Sequence, residues 1–222
     1  MLILHTSDLL AEAYAARLLA SLAGVALEIR HLDIHPGRDH ETDAFRVLSP
    51  LGRLPVLEGA GAPLADWQAV LCAIATRGDT PARADAPGWW RGADPAFIGW
   101  LGMARDLAAS AGVARLHEGL GVPADGAALR AAAHALLREV ERHLWFAERA
   151  GQRWLLAGEG PCAADIACYV HIALCEEGGI ARMDYPAIRR WVDRIRHLPG
   201  YIVTSGTFAP PAPAPVRQPV RA

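Results

Sequence analysis

The chain has 222 residues, which is enough to bury a hydrophobic core without disulfides or metals. Its net charge is −2 and its basic residues are scattered among acidic ones, so no basic surface for nucleic acid is expected. No segment approaches the run of about twenty apolar residues that crosses a membrane, and the N-terminus lacks the features of a signal peptide. These observations predict a cytoplasmic protein without a nucleic-acid or membrane partner.

The first 48 residues predict alternating strands and helices. Leu2–His5 is expected to form a buried strand, and Leu10–Leu22 an Ala/Leu-rich helix that ends at Gly24. Leu27–Ile34 alternates apolar and charged residues in the manner of a half-buried strand. A short helical piece over Asp43–Leu48 follows a turn-rich linker. This order of strand, helix and strand is typical of a thioredoxin-like domain.

The next stretch of the chain, Ser49–Leu57, is expected to bend at Pro55, and we call it the proline corner. Pro55 directly precedes an apolar strand, and because proline cannot donate to a sheet ladder it must lie at a strand start or a bend. A turn over Gly59–Ala62 and a second short strand follow. Asp66 then stands at the N-cap position of a helix. The predicted order is loop, proline, hairpin and capped helix.

Beyond that helix no strand pattern returns. Residues 79–88 are rich in Pro, Gly, Asp and Ala and predict an interdomain linker. Residues 89–205 predict an all-helical domain whose central helix, Cys162–Glu177, is apolar almost all round. The proline-rich tail, 206–222, is expected to be disordered or extended. The sequence therefore predicts an α/β domain over residues 1–78 followed by a helical bundle.

The proline corner resembles the glutathione transferase superfamily. That family carries a segment of the form Asn/Ser-Pro-x-Gly-x-Val/Leu-Pro-Val-Leu before a hairpin and an acidic helix start, and Ser49–Leu57 and Asp66 match it. In the helical half, Pro161–Ala167 and Tyr185–Trp191 are similar to the family's capping segment and closing helix. The departure there is Cys162, which replaces a capping hydroxyl residue at a cost of about 1 kcal/mol.

The resemblance implies a thioredoxin-like N-terminal domain, a helical C-terminal domain, and glutathione as co-substrate. The backbone of Leu54 would pair with the cysteinyl part of glutathione, and Pro55 would follow a cis peptide bond. Asp66 would bind the γ-glutamyl ammonium group, the alternative being a helix cap alone. Trp67 replaces the family's serine, and the hydrogen bond lost with that hydroxyl is worth roughly 1.5–3 kcal/mol.

Two side chains near the corner are candidates for binding the glycine carboxylate of glutathione. His40 lies nine residues before Ser49, a spacing similar to that of insect-type members in which a histidine meets this carboxylate. The alternative is a solvent-exposed loop histidine. Arg53, beside the proline corner, is the second candidate.

Glutathione transfer needs a group that ionises the thiol, whose pKa of ~8.5 must fall by roughly two units. In the family this donor is a Tyr, Ser or Cys at or near the start of the first helix, whereas Leu10–Ala13 offer no side-chain donor. Ser7, directly after the first strand, is therefore the candidate catalytic residue, with a backbone N–H group as the other possible donor. The alternative is that Ser7 only caps the helix, and Tyr14 is expected to be a packing or surface residue.

The resemblance places the co-substrate pocket between the first-helix loop and the first helices of the second domain. Aromatic, apolar and cationic side chains in that part of the sequence predict a hydrophobic electrophile as acceptor: Trp89, Trp90, Phe97, Trp100 and Arg105. The alternative for Phe97 and Trp100 is a place in the core or in a dimer interface.

The predicted function is conjugation or transfer of glutathione to a hydrophobic electrophile, a detoxification chemistry, by a homodimer that completes its glutathione site at the subunit interface. The competing hypothesis is a non-catalytic member that uses the same fold for binding or scaffolding. Two losses favour it: Trp67 replaces the serine at the helix start, and Leu10–Ala13 offer no side-chain donor to the thiol. A peroxidase or disulfide reductase is disfavoured, since no cysteine lies near the first helix.

The four cysteines lie in apolar, helical contexts and are expected to be reduced. Cys168, His171 and Cys175 share one face of a helix, a geometry that can ligate a metal. No fourth ligand is evident and the helix is apolar on every side. These three residues are therefore interpreted as core residues, and no metal is predicted.

Overall fold

The computed structural model describes residues 1–79, 88–204 and 207–208. Its first part follows the predicted order of elements, which are β1 (Ile3–Thr6), α1 (Ala11–Ala23), β2 (Glu28–His31), α2 (Asp43–Arg46), β3 (Val56–Glu58) and α3 (Trp67–Gly78). A single 3₁₀ turn precedes α2. Strand β2 is shorter than the alternating pattern predicted.

The three strands form one small mixed sheet in the order β2-β1-β3. Strand β1 runs parallel to β2 and antiparallel to β3, so that Leu4 pairs with Ile29 on one side and with Leu57 on the other. Leu57 also forms an antiparallel bridge with Leu64, which confirms the hairpin after the proline corner. Helix α1 makes the crossover that a parallel pair of strands requires.

Helix α1 ends where the sequence predicted. Gly24 adopts a left-handed backbone with φ of 65°, and its N–H group bonds to carbonyls of the last turn. Helices α1 and α3 pack against each other and bury Leu18, Leu19, Leu71 and Ile74 completely. The domain core thus forms between leucine-rich helix faces and the central strand.

The second part of the described chain is helical. Its α-helices are α4 (Pro95–Leu107), α5 (Val113–Leu120), α6 (Gly126–Arg149), α7 (Ala163–Ala173) and α8 (Pro186–Arg196). A π-helix joins α4 to α5 over Ala108–Gly112, and a 3₁₀ helix follows α7 over Cys175–Gly178. The predicted fold class, a thioredoxin-like domain followed by a helical domain, is confirmed.

Helix α7 is the central helix of this second part. Every residue from Ala163 to Ile172 is buried, and the helix packs against both α4 and α1. It therefore connects the cores of the two parts. The helix ends at Ala173, four residues earlier than its apolar pattern predicted, because the chain tightens into the 3₁₀ helix before Gly179 turns with φ of 74°.

A buried carboxylate holds the start of α7. Asp165 Oδ1 accepts hydrogen bonds from the backbone N–H of Leu155 at 3.0 Å and from Nε1 of Trp191 at 2.9 Å. Its Oδ2 accepts from the backbone N–H of Cys162 at 2.9 Å, which is the reciprocal half of a capping box. One side chain thus ties α7 to the preceding loop and to α8.

The end of the described chain returns to α1. The Tyr14 hydroxyl donates to the carbonyl of Ile202 at 2.7 Å and lies 3.1 Å from the hydroxyl of Tyr201. Ser21 Oγ donates to the carbonyl of Gly200 at 2.7 Å. Tyr14 is therefore a packing residue that anchors the C-terminal segment.

Most of the predicted linker and tail lies outside the described residues, namely 80–87, 205–206 and 209–222. The predicted domain boundaries and the disordered tail accordingly remain predictions. Of the described tail residues, Phe208 donates its backbone N–H to Glu177 at 3.0 Å. None of the described helices has the length and apolar character that crossing a membrane requires.

Candidate functional site

A cleft of about 550 Å³ lies between the proline corner, the starts of α1 and α3, and the end of α4. Its lining combines charged side chains with small and apolar ones: Leu10, Glu12, Ile34, His40, Gly52, Arg53, Leu54, Ala65, Asp66, Trp67, Arg105, Ala108, Ala109 and Val113. The cleft thus draws on both parts of the chain. It has the size expected of a small-molecule site.

The proline corner presents free backbone to the cleft. The Leu54–Pro55 peptide bond is cis. Within the described residues, the N–H and C=O groups of Leu54 have no protein partner. Ser49 Oγ accepts from the backbone N–H of Arg53 at 2.8 Å and fixes the turn before Leu54. An extended peptide is able to pair with this segment as with a strand edge.

Gly52 brings His40 against this corner. Its φ is +63°, and a Cβ atom at this position would lie 2.7 Å from the carbonyl oxygen of His40. Glycine is therefore required by both conformation and space. His40 Nδ1 is buried without a partner in the described part of the chain, and Nε2 lies 3.6 Å from Glu41. His40 and Arg53 thus both line the same end of the cleft.

Asp66 is the N-cap of α3, as predicted. Its Oδ1 accepts from the backbone N–H groups of Gln68 at 3.0 Å and of Ala69 at 3.1 Å. Its Oδ2 lies 3.4 Å from Nη2 of Arg105, and both side chains are about half exposed. Oδ1 of Asp66 thus caps the helix, while Oδ2 stays available on the side of the cleft.

Gln68 links the two parts of the chain beside the cleft. Its Nε2 donates to the carbonyl of Leu101 in α4, and its Oε1 accepts from Nε of Arg105 at 3.1 Å and from Nη2 of the same guanidinium. The residue is buried. Nothing in its sequence context distinguished this glutamine from a surface residue of α3.

We expect Gln68→Ala to lower the free energy of unfolding by about 1–3 kcal/mol, because it leaves the Leu101 carbonyl and Arg105 without a buried partner. Denaturant unfolding monitored by circular dichroism measures this change. Gln152→Ala, a half-buried glutamine on the loop after α6, is the control and is expected to change stability by under 0.5 kcal/mol. Equal effects of the two variants would contradict the proposed link.

The start of α1 places Ser7 outside both the lining of the cleft and the N-cap position. Ser7 is 3% exposed and does not line the cleft. The N-cap of α1 is Leu10, and no side chain caps the helix there. Instead, Glu12 in the first turn of α1 lines the cleft. The catalytic role of Ser7 stays a prediction, and the structure does not bring its side chain to the cleft.

His171 lies behind Trp67. The two rings meet edge to face with centroids 5.7 Å apart. Both ring nitrogens of His171 are buried without a hydrogen-bond partner among the described residues, and burial lowers the pKa of this imidazole, so it is neutral at pH 7. Gly112 of the π-helix makes room for it, since a Cβ there would lie 3.2 Å from Nδ1. Trp67 thus packs against a buried, uncharged imidazole.

Of the five predicted pocket residues, only Arg105 lines the cleft. Trp89 and Phe97 belong to the hydrophobic core, and the exposed Trp90 packs edge to face on Phe97. Trp100 packs on the ring of His143 with centroids 4.6 Å apart. Phe97 is thus buried in the core, and Trp100 is partly buried and packs against it.

Small residues form the part of the cleft that the aromatic residues were expected to supply. Ala108 and Ala109 come from the π-helix, and Leu10 and Val113 flank them. No sequence signal separates these residues from ordinary helix-packing residues, so they were not identified.

The cysteines are free, as expected. Cys168 Sγ donates to the carbonyl of Trp100 at 3.5 Å and Cys175 Sγ to that of Ile180 at 3.4 Å. Within the described ranges no group of three or more His, Cys, Asp or Glu side chains is arranged to hold a metal ion.

Residues 8–71 match the family model described as "Glutathione S-transferase, N-terminal domain". The whole fold is similar to solved structures. A glutathione S-transferase from Xanthobacter autotrophicus Py2 has a TM-score of 0.76 and 24% identity, over 93% of this chain and 98% of that chain. A search of curated proteins found no match.

Two similar structures are described as complexes with glutathione or a derivative. A glutathione transferase homologue from Lodderomyces elongisporus, with two glutathione molecules per subunit, has a TM-score of 0.73 and 17% identity, over 90% and 94% of the two chains. Ure2p in complex with S-hexylglutathione has a TM-score of 0.73 and 16% identity, over 90% and 95%.

A thioredoxin-like domain with a cis peptide at its proline corner, joined to a helical domain across a cleft, defines the glutathione S-transferase fold class. Residues 8–71 thus match the N-terminal domain model of the glutathione S-transferases, and the fold of the described chain is similar to that of solved glutathione S-transferases.

Proposed function

We propose that the chain binds glutathione in the cleft beside the proline corner. The observation that carries this proposal is the free N–H and C=O of Leu54, which lie between a cationic end of the cleft and a carboxylate. Glutathione has a peptide backbone with a carboxylate at one end and an ammonium and carboxylate at the other. Its charge pattern therefore complements the cleft. The similar structures described with glutathione or S-hexylglutathione support the same ligand.

In this arrangement, Leu54 pairs with the cysteinyl backbone, and Pro55 shapes the corner. Arg53 and His40 hold the glycine carboxylate, and Oδ2 of Asp66 holds the γ-glutamyl ammonium. Trp67 offers no hydroxyl to the γ-glutamyl carboxylate, so we expect affinity lower than that of a site with serine, by roughly ten- to a hundredfold.

The finer function that we propose first is transfer of glutathione to a hydrophobic electrophile. The small apolar residues Leu10, Ala108, Ala109 and Val113 leave room for an apolar group next to the start of α1. A backbone N–H group of the first turn of α1, or Ser7 after a rearrangement of its loop, would then stabilise the thiolate.

The second candidate is a non-catalytic glutathione-binding protein. The described lining of the cleft contains no Ser, Thr, Tyr or Cys, and Glu12 stands in the first turn of α1 instead. A carboxylate near the thiol would raise the thiol pKa, which opposes the activation that transfer needs.

Assembly as a homodimer stays a prediction for both candidates. The exposed apolar residues Val47 and Leu51 beside the proline corner are consistent with such an interface.

Isothermal titration calorimetry with glutathione and with S-hexylglutathione tests the proposal. We expect both to bind with one site per chain, and S-hexylglutathione to bind more tightly because its alkyl group fills the apolar part of the cleft. A thiolate signal in the ultraviolet difference spectrum at neutral pH would favour the transferase, and its absence the non-catalytic candidate. No binding of either compound at millimolar concentration would overturn the proposal.

A further inference from the structure

Glu12 is a carboxylate of the cleft that has no partner in the described part of the chain. It stands in the first turn of α1 and lines the cleft. No described residue forms a hydrogen bond or an ion pair with it, whereas Asp66, the other carboxylate of the lining, caps α3 and lies 3.4 Å from Arg105. Both carboxylate oxygens of Glu12 keep solvent-accessible surface, so a ligand in the cleft is able to reach them.

The charged groups behind the start of α1 do not neutralise Glu12. Burial lowers the pKa of His171, so its imidazole is neutral at pH 7. Arg115 is buried and donates to Glu177 at 2.6 Å and to the carbonyl of Leu9 at 2.5 Å. The charge of Arg115 is thus already paired with that of Glu177. The negative charge of Glu12 is therefore left to the cleft.

Glutathione bound as proposed above also leaves Glu12 unpaired. Its glycine carboxylate is bound by Arg53 and His40, and its ammonium group by Oδ2 of Asp66. Arg105, about half exposed beside Asp66, is the cation of the lining that remains for the γ-glutamyl carboxylate. Each charged group of glutathione then has a partner of opposite sign. Glu12 is the charged residue of the described lining that is left over.

Glu12 borders the apolar part of the cleft. Leu10, Val113 and the small residues Ala108 and Ala109 line this part, and α1 contacts the π-helix that carries the two alanines. A substituent on the sulfur of glutathione would therefore lie among apolar side chains with a carboxylate at their edge. An ion pair that is partly shielded from water is stronger than one on the open surface.

We propose that the group bound beside glutathione is an amine on a short apolar chain, whose ammonium group forms an ion pair with Glu12. This inference rests on the proposed binding of glutathione and narrows its co-substrate to an apolar electrophile that carries an amino group. An ammonium group paired with Glu12 would also offset the effect of this carboxylate on the thiol, so such an acceptor would favour the thiolate.

Titration calorimetry with S-substituted glutathiones tests the proposal. S-(5-aminopentyl)glutathione and S-hexylglutathione have chains of equal length that end in an ammonium or a methyl group. We expect the wild-type protein to bind the amino derivative at least as tightly as the hexyl derivative. In Glu12→Gln we expect the amino derivative to bind at least tenfold more weakly than S-hexylglutathione, because the ammonium group loses its partner. Equal selectivity of Glu12→Gln and wild type would overturn the inference.

Glu28→Gln is the matched control, since it removes the same charge outside the cleft. Glu28 lies in β2 and pairs with Ile3, at the end of β1 that is far from α1. We expect this variant to keep the selectivity of the wild type within twofold. A loss equal to that of Glu12→Gln would assign the effect to net charge and would overturn the ion pair.

An anionic derivative provides a test on the wild-type protein alone, and it decides the matter even where Glu12→Gln does not fold. We expect S-(3-carboxypropyl)glutathione to bind at least tenfold more weakly than the amino derivative, because Glu12 repels its carboxylate. If S-hexylglutathione binds but the amino and carboxylate derivatives have equal affinities, the inference alone is overturned. No binding of S-hexylglutathione at millimolar concentration would overturn the proposed function and this inference with it.

Discussion

Replacing Asp165 with alanine is expected to lower the free energy of unfolding by about 3–5 kcal/mol. The side chain is fully buried and accepts hydrogen bonds from Leu155, Cys162 and Trp191. Alanine would leave three buried N–H donors unpaired and open a void between the start of α7 and α8.

Asparagine at the same position gives a graded test. Its amide oxygen is able to keep the two bonds that Oδ1 accepts, from Leu155 and Trp191, while the amide nitrogen faces the N–H of Cys162. We therefore expect Asp165→Asn to lose less than half of what Asp165→Ala loses. Urea unfolding, followed by far-ultraviolet circular dichroism and tryptophan fluorescence, measures both variants.

Asp184→Ala is the control, since Asp184 is exposed. We expect it to change stability by under 0.5 kcal/mol. A loss below 1 kcal/mol for Asp165→Ala would mean that water satisfies the three donors and that the carboxylate does not hold the two helices.

Replacing Glu12 with glutamine is expected to lower the thiol pKa of bound glutathione by about one unit, which increases the thiolate about tenfold below that pKa. This prediction depends on the proposed binding mode, in which the thiol lies near the start of α1. Removing the carboxylate removes a negative charge that disfavours a second one. An ultraviolet difference titration of the bound thiolate across pH 6 to 10 measures the change.

Ser7→Ala is the matched variant at the other candidate position. Because Ser7 is buried and outside the cleft, we expect its replacement to leave the thiol pKa and the glutathione affinity unchanged. If Ser7→Ala abolished a wild-type thiolate signal and Glu12→Gln did not shift it, Ser7 would be the activating residue and the argument from Glu12 would fail.

Local chemistry made much of the fold predictable from sequence. Pro55 restricts its neighbours, Asp66 supplies a capping oxygen, and Gly24 permits a left-handed turn, so each feature is visible without tertiary contacts. The uniformly apolar stretch that forms α7 likewise identified a central helix. These signals are short in range, which is why the order of elements followed from them.

The cleft was less predictable because its shape depends on packing between the two parts of the chain. Trp89 and Phe97 were predicted to line a ligand pocket because they are aromatic, but both side chains are buried in the hydrophobic core. Ala108 and Ala109 reach the cleft through a π-helix, which has no signature in the sequence. Gln68 acquires its role only when α4 is placed beside α3.

The hydroxyl contact between Tyr14 and Tyr201 joins residues 187 positions apart. A ribosome makes the chain from its N-terminus, so α1 emerges long before the segment that covers one side of it. Until Gly200 to Ile202 leave the exit tunnel, Tyr14 and Ser21 have no partner from that segment. The thioredoxin-like domain therefore completes its packing only after the segment through Ile202 has been synthesised, and a nascent chain that stalls before it leaves this side of α1 uncovered.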